Sequence, residues 1–592
     1  MRASVLLTAC LAALSLAVSV QGAPPKLTYL FPSGAQRGQT AEVTATGEFS
    51  KWPVQFSADR KGLTVTAEKD KGKLKVAVDA DAIPGVYWLR AANEEGASTL
   101  RPFIVGTLPE AVESEPNDSP TKPQTVEPRI VINGQLGKSG DVDGFSVALK
   151  EGQTFVASVV AESILGSPMD SVLQVCELIQ RPTSSNGISP PAEAFVLEQN
   201  HDWTGLDPQI VMTAPRDGVY LVRLFAFPSV PNSSISFAGG DTFIYRLTIT
   251  TGGFLDHALP LAVKGGETTE MKLFGWNIPE AATALSIPPD TASSTALSVP
   301  PDAPVALFHP DVAGSMELPP AEGESIVAAD SSDLKAPQAI TLPATISGRL
   351  ENERDADAFS FKAAKGEKVR IAASSRGLGF PLDPVLLVVD ASGATLAEAD
   401  DMGRTDRDPE LLFTAPADGD YKAVIRDLHG RGGLRYVYRL TMGPAKPDFS
   451  LTMAADSFVL AAGKPLEIPV TIARRNGFKE PIELRVVGLP EGVTAEPLIA
   501  DGTKEAPAAP RSDDSKGKRG RRGGSTPAAA PSVKLILKAD AATAPVGGFA
   551  IRIEGSAPGE KADEKPVVRS ARFPTNLPMT SPQPALWLTV QK

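Results

Sequence analysis

The sequence predicts an all-β protein built of tandem β-sandwich modules, and three observations carry that prediction. Apolar residues recur with period two. Phe145, Val147 and Leu149 alternate with Ser146 and Ala148, a Glu151-Gly152 turn follows, and Phe155, Ala157 and Val159 resume the pattern. Farther on, Phe359, Phe361 and Ala363 lead through Lys365-Gly366 to Val369, Ile371 and Ala373. Such alternation puts one face of a strand on a core and the other in water. Second, 51 Gly and 53 Pro in 592 residues interrupt almost every stretch long enough for a helix. Third, the chain contains an internal duplication, the sign of a modular architecture.

The duplication is ordered. Thr213-Ala214-Pro215-Arg216-Asp217-Gly218-Val219-Tyr220 returns as Thr414-Ala415-Pro416-Ala417-Asp418-Gly419-Asp420-Tyr421. Asp141-Val142-Asp143-Gly144-Phe145-Ser146 pairs with Asp355-Ala356-Asp357-Ala358-Phe359-Ser360, and Tyr245-Arg246-Leu247-Thr248 with Tyr438-Arg439-Leu440-Thr441. The offset falls from 213 residues at Pro168/Pro381 to 201 at Asp207/Asp408. That places an extra loop in the first copy, over the loop-like stretch Arg181 to Pro191.

The order Glu-x-Glu-Pro-Asn-Asp, Gly-Asp-x-Asp-x-Phe, Leu-Asp-Pro, Thr-Ala-Pro-x-Asp-Gly-x-Tyr and Tyr-x-Leu-Thr resembles the bacterial pre-peptidase C-terminal domain, a family that includes the collagen-binding modules of clostridial collagenases. The resemblance spans roughly 112–250 and 336–445 and implies two jelly-roll-like sandwiches. It says little about function, because such modules accompany many different secreted proteins. The stretches around them look immunoglobulin-like. The expected organisation is a signal peptide over 1–22, an Ig-like sandwich over 23–108, the first jelly-roll-like copy over 109–250, an Ig-like β-rich module over 251–335, the second copy over 336–445, and an Ig-like sandwich over 446–592. The last carries a disordered insert at about 500–531, where Ala, Pro, Gly and charge leave nothing apolar to offset ordering entropy.

Composition bounds the partners. A net charge of -12 and a pI near 5.1 work against nucleic acid and anionic membrane as partners for the chain as a whole, since both require a basic surface. A mean hydropathy of -0.05 fits soluble modules with buried cores. Arg2, the apolar run Val5 to Val18, and small residues Val20 and Gly22 before Ala23 read as a cleavable export signal. An uncleaved anchor is the competing reading, although the run is shorter than the roughly 20 residues of a span. Leu7-Thr8-Ala9-Cys10 has lipoprotein-box residue types, but cutting there strands the apolar core on the mature side. After cleavage Cys176 is alone, and its place in Val172-Leu173-Gln174-Val175-Cys176 makes it a buried thiol.

The strongest candidate site is acidic. Glu113, Glu115, Asn117 and Asp118, with Asp141 and Asp143, offer six oxygen-bearing side chains in two short segments, and calcium takes six to eight oxygen ligands. In the collagen-binding modules that this segment resembles, the matching positions ligate calcium. The competing reading is a solvated acidic linker and an Asp turn. Asp355 and Asp357 remain in the second copy, but only Asp330 and Asp333 lie near in place of the Glu-x-Glu-Pro-Asn-Asp run, so calcium is expected in the first copy alone. Asp400, Asp401, Asp406 and Asp408 around Gly403, and their counterparts Asn200, Asp202 and Asp207, read as turns in which Asp caps its own backbone.

His201, His257, His309 and His429 are scattered without metal-ligand spacing, and no Gly-x-Ser-x-Gly elbow or strand-free cysteine is present. The chain is therefore expected not to be an enzyme. Lys516, Lys518, Arg519, Arg521 and Arg522 form a basic run that reads as a solvated loop. The expected function is an exported binding or structural protein contacting a surface polymer, envelope component or protein. The alternative is an accessory subunit of a secreted hydrolase.

Overall fold

The structure is a computed structural model that describes residues 22–179, 193–230, 236–288, 304–330, 333–403, 407–501, 532–559, 566–575, 577 and 583–592. Nearly all of the expected signal segment, the loop Arg181 to Pro191, Asp406 and the basic run from Lys516 to Arg522 lie outside the described residues. Strands make up 56% of the described residues and helix 2%, in tandem β-sandwiches. Five main apolar clusters follow one another along the sequence. They run from Leu27 to Val105, Val126 to Ile249, Leu255 to Leu318, Ala344 to Met442 and Phe449 to Val590.

The second and fourth sandwiches share one topology. In the second, one sheet runs Glu110–Val112, Ile130–Gln135, Ile244–Thr250, Thr154–Val160, Gln209–Thr213. The facing sheet runs Gln124–Thr125, Asp143–Leu149, Gly218–Pro228, Met169–Ile179, Glu193–Asn200. The fourth repeats this strand for strand, from Glu324–Val327 through Ala344–Arg349 to Glu410–Thr414, and from Gln338–Ala339 through Ala356–Ala363 to Thr395–Ala399. Glu324–Val327 lies ahead of the start expected at 336. It belongs to this sandwich because it pairs in parallel with Ala344–Arg349, as Glu110–Val112 does with Ile130–Gln135.

The period-two residues face inward. Phe145, Phe155, Phe359 and Phe361 are buried among their own module's core, each contributing roughly 1.5–3 kcal/mol by leaving water. The repeated Thr-Ala-Pro-x-Asp-Gly-x-Tyr run also has a structural explanation. Tyr220 donates its hydroxyl hydrogen to the Arg216 carbonyl at 2.8 Å, and Tyr421 donates to that of Ala417 at 2.6 Å. Asp217 and Asp418 accept the Glu151 and Lys365 amides at 2.7 and 2.6 Å, tying each corner to the preceding turn.

The modules are packed against one another. Arg90 of the first reaches the fifth, where it pairs with Asp456 at 2.9 Å; both side chains are buried. Thr107 of the first donates to the Val312 carbonyl of the third at 3.1 Å. Arg435 of the fourth donates to the Trp203 carbonyl of the second at 2.8 Å and pairs with Asp256 of the third at 3.0 Å. Among the described residues no helix is long and apolar enough to cross a membrane.

Candidate metal centre

The six acidic-site residues expected from the sequence come together at one end of the second sandwich. Glu113 follows the edge strand Glu110–Val112 and stays in register, its amide donating to the Asn133 carbonyl at 3.0 Å. Its carboxylate accepts the Gln135 amide at 2.6 Å and the Tyr245 hydroxyl at 2.9 Å. Asp143, at the start of Asp143–Leu149, lies 2.6 Å from the same hydroxyl. A phenol has one proton to donate, so two charged carboxylates cannot both be satisfied by it. Burial, reinforced by the charge of Glu113, pushes Asp143 up to about 10, and burial raises Glu113 as well.

The outer part of the cluster is a triad. Carboxylate oxygens of Glu115, Asp118 and Asp141 all lie within 4.8 Å of one another. Lys138 sits over two of them, 3.3 Å from Asp118 and 3.5 Å from Asp141. A hydrogen bond with Asp141 holds Asp118 below the usual carboxylate range, whereas burial raises Asp141. Asn117 is turned inward at 1% exposure, with its backbone N–H donating to the Glu115 carboxylate at 2.9 Å. Its backbone carbonyl packs against Gly144, where an added Cβ would stand 2.9 Å away.

The residues fit a hard divalent cation. Asn117 Oδ1, Asp141 Oδ1 and Asp143 Oδ1 are buried oxygens without a hydrogen-bond partner, and the whole donor set is oxygen, which suits calcium rather than zinc. Residues that sequence reasoning missed are Tyr245, which orients Glu113 and Asp143, and Gly144, whose missing side chain admits Asn117. The available signals were the Tyr-x-Leu-Thr repeat and the Gly144/Ala358 difference between copies.

The fourth sandwich keeps the frame of this site with other chemistry. Ala328 stands at the Glu113 position, its amide on the Ser347 carbonyl at 2.8 Å, and Ala329 repeats the bond of Ser114 to a glutamine. Asp357 receives the Tyr438 hydroxyl, and Asp355 caps the Glu351 amide at 2.8 Å. Asp333 caps its own turn at Lys335 and Ala336. Among the described residues no second group of three carboxylates comes together. A cleft of about 470 Å³ opens here against the third module, lined by Phe274, Lys272, Arg349, Glu351, Asp330 and Asp357 among others.

The Asp turns are a correction. Asp207 and Asp408 cap backbone far from them in the sequence. Asp207 accepts the amides of Ala161, Glu162 and Ser163 and the Ser163 hydroxyl, at the start of the one-turn helix Glu162–Leu165. Asp408 does the same for Ser375, Arg376 and Gly377. Asp400 does cap the next residue, accepting the Asp401 amide at 2.9 Å. Cys176 is buried, and burial raises its thiol. His257 is buried against Asp256 and stacked on Phe274, apart from His201, His309 and His429.

No family model and no curated protein matches the chain. Among solved structures, the pre-peptidase C-terminal domain of a collagenase from Bacillus anthracis is similar at 19% identity over 19% of this chain and 98% of that domain, with a TM-score of 0.15. Trypsin-activated alpha-2-macroglobulin from Escherichia coli is similar at 9% identity and a TM-score of 0.15; 94% of this chain covers 49% of that one. SGBP-B of a Bacteroides ovatus mixed-linkage glucan utilization locus is similar at 7% identity over 69% of this chain and 73% of that one, with a TM-score of 0.12.

Proposed function

We propose that this chain is an exported, non-catalytic binding protein whose second sandwich holds calcium through Glu113, Glu115, Asn117, Asp118, Asp141 and Asp143. Its packed modules present their loops to a surface polymer, an envelope component or a protein partner. The observation that carries the calcium reading is the buried oxygens of Asn117, Asp141 and Asp143, which have no hydrogen-bond donor although five carboxylates stand together. Lys138 balances only part of the charge of these five carboxylates; a bound divalent cation supplies the rest, and fixing both acidic segments stiffens this end of the sandwich. The chain's own contribution is to orient the donors, through Tyr245 and the Gln135 and Gly137 amides.

Two measurements test this reading. Calorimetry in a calcium titration is expected to raise one unfolding transition, by about 2.7 kcal/mol at a hundredfold excess over Kd, and D141A/D143A abolishes the gain. An unchanged melting curve removes calcium from the proposal. Capture of envelope fractions on the immobilised chain, in calcium and in chelator, tests binding. No retention of any component, or turnover of a panel of polymers by the purified chain, defeats the binding reading. A hydrolase among the captured proteins favours an accessory role.

A further inference from the structure

The loop end of the fourth sandwich gathers cations where the second gathers acids. Asp383 Oδ2, in a side chain only 4% exposed, has Arg407 at 3.3 Å, Arg376 at 3.9 Å and His429 at 3.9 Å. One buried carboxylate needs one cation, and Arg407 stands nearest to it; Arg376 and the His429 ring stand beyond hydrogen-bond reach. All three tips are turned to solvent, at 42%, 55% and 56% exposure for Arg376, Arg407 and His429. At the matching positions of the second sandwich, Glu162 replaces Arg376 and Leu206 replaces Arg407.

The loops that carry these groups are fixed from beneath. Asp408 receives the amides of Ser375, Arg376 and Gly377, which sets Arg376 and the adjacent Arg407. Asp427, also buried, receives those of Asp383, His429 and Arg431 at 3.0, 2.9 and 2.9 Å. Backbone amides therefore satisfy the carboxylates that build the scaffold, leaving the guanidinium forks to face outward in a preset arrangement.

We propose that Arg376, Arg407 and His429 form a cradle for the carboxylate or sulfate groups of an acidic glycan. The inference deepens the binding reading, on which it rests, by naming a ligand class. A guanidinium fork matches a planar or tetrahedral oxyanion bidentately. The net charge of -12 repels densely charged polyphosphates, so a patch this small suits a polymer with one well-spaced charge per sugar.

The test is retention of the full chain on immobilised polygalacturonate, chondroitin sulfate and uncharged dextran at low salt. Wild-type protein is expected on the two acidic polymers and not on dextran. R376Q/R407Q, with an unchanged melting temperature, is expected to bind at least tenfold more weakly. R376K/R407K, which keeps the charge and loses the fork, is expected to fall between. Equal retention of R376Q/R407Q, equal retention on dextran, or tighter arginine-dependent binding to duplex DNA overturns the assignment. If the wild-type chain captures envelope components but is retained on neither acidic polymer, this inference fails and the binding reading stands; if the wild-type chain captures nothing and is retained on neither polymer, both fail.

Discussion

Asp143 is the residue on which the second sandwich turns. Its folded carboxyl, pushed up to about 10 by burial and then by Glu113, lies far above its unfolded value. The metal-free folded form thus holds a proton that the unfolded chain releases, so this group's contribution to stability is full below about pH 4 and is lost as pH rises through its raised folded value. Asp143→Asn is isosteric and does not titrate, so it is expected to flatten this decline in chelator while losing the calcium gain. Melting curves from about pH 5 to about pH 9 check both, and parallel pH profiles for the two proteins would show that Asp143 is not the group responsible. In the calcium proposal the ion takes the place of that proton, so calcium affinity is expected to rise across the same window. Gly144→Ala is a separate test of Asn117. The added Cβ, 2.9 Å from the Asn117 carbonyl, is expected to cost about 1–3 kcal/mol and to weaken calcium binding at least tenfold. Titration calorimetry showing wild-type affinity would mean that the Asn117 loop moves freely. The carboxylates were legible because ligand types cluster in the chain. Tyr245, about a hundred residues beyond Asp143, is placed among them by strand pairing across the sheet, which no local pattern announces.

At the scale of elements, strands were legible wherever one face is buried, since Phe145, Val147 and Leu149 repeat at the spacing of the pleat. Glu324–Val327 was not. Its two middle residues are half-buried and its two ends exposed, with no alternation, and only pairing with Ala344–Arg349 assigns it to the fourth sandwich. Asp207 was legible as a cap but not as a cap for residues 44 to 46 positions earlier, because the contact spans two strands. Its burial sets its importance. Asp207→Ala strands three amides and the Ser163 hydroxyl, all inside or at the margin of the core, and is expected to cost about 3 kcal/mol or more. Asp217→Ala removes an exposed cap on Glu151 and is expected to cost about 1 kcal/mol or less. Urea unfolding of both variants decides it: equal shifts would mean that burial does not govern these caps.

The whole molecule is closed by contacts that no linear reading supplies. Arg90 and Asp456 are 366 positions apart, yet they form a buried pair between the first and fifth modules. Arg90 also donates to the Ser98 carbonyl at 3.0 Å and to that of Ala585 at 3.2 Å, so its guanidinium joins a strand of the first module to the residue just ahead of the strand Leu586–Gln591. Gln591 adds a bond to the Glu94 carbonyl at 2.9 Å, and Val459 packs beside Gly96. An exposed pair such as Lys26 with Glu48 contributes little and weakens with salt, whereas a buried pair is shielded from salt and punishes the loss of one partner. Arg90→Ala leaves the Asp456 carboxylate buried without its cation, at an expected cost of about 3–5 kcal/mol to the contact between the modules. The first and fifth modules each keep a core of their own, so the predicted result is separation rather than unfolding. Small-angle scattering is expected to show a larger radius of gyration for R90A, with near-native circular dichroism. R90M/D456L, which removes both charges and fills the space with apolar atoms, is expected to restore the compact form. A compact R90A with an unchanged melting profile would show that other contacts hold the two ends of the chain together.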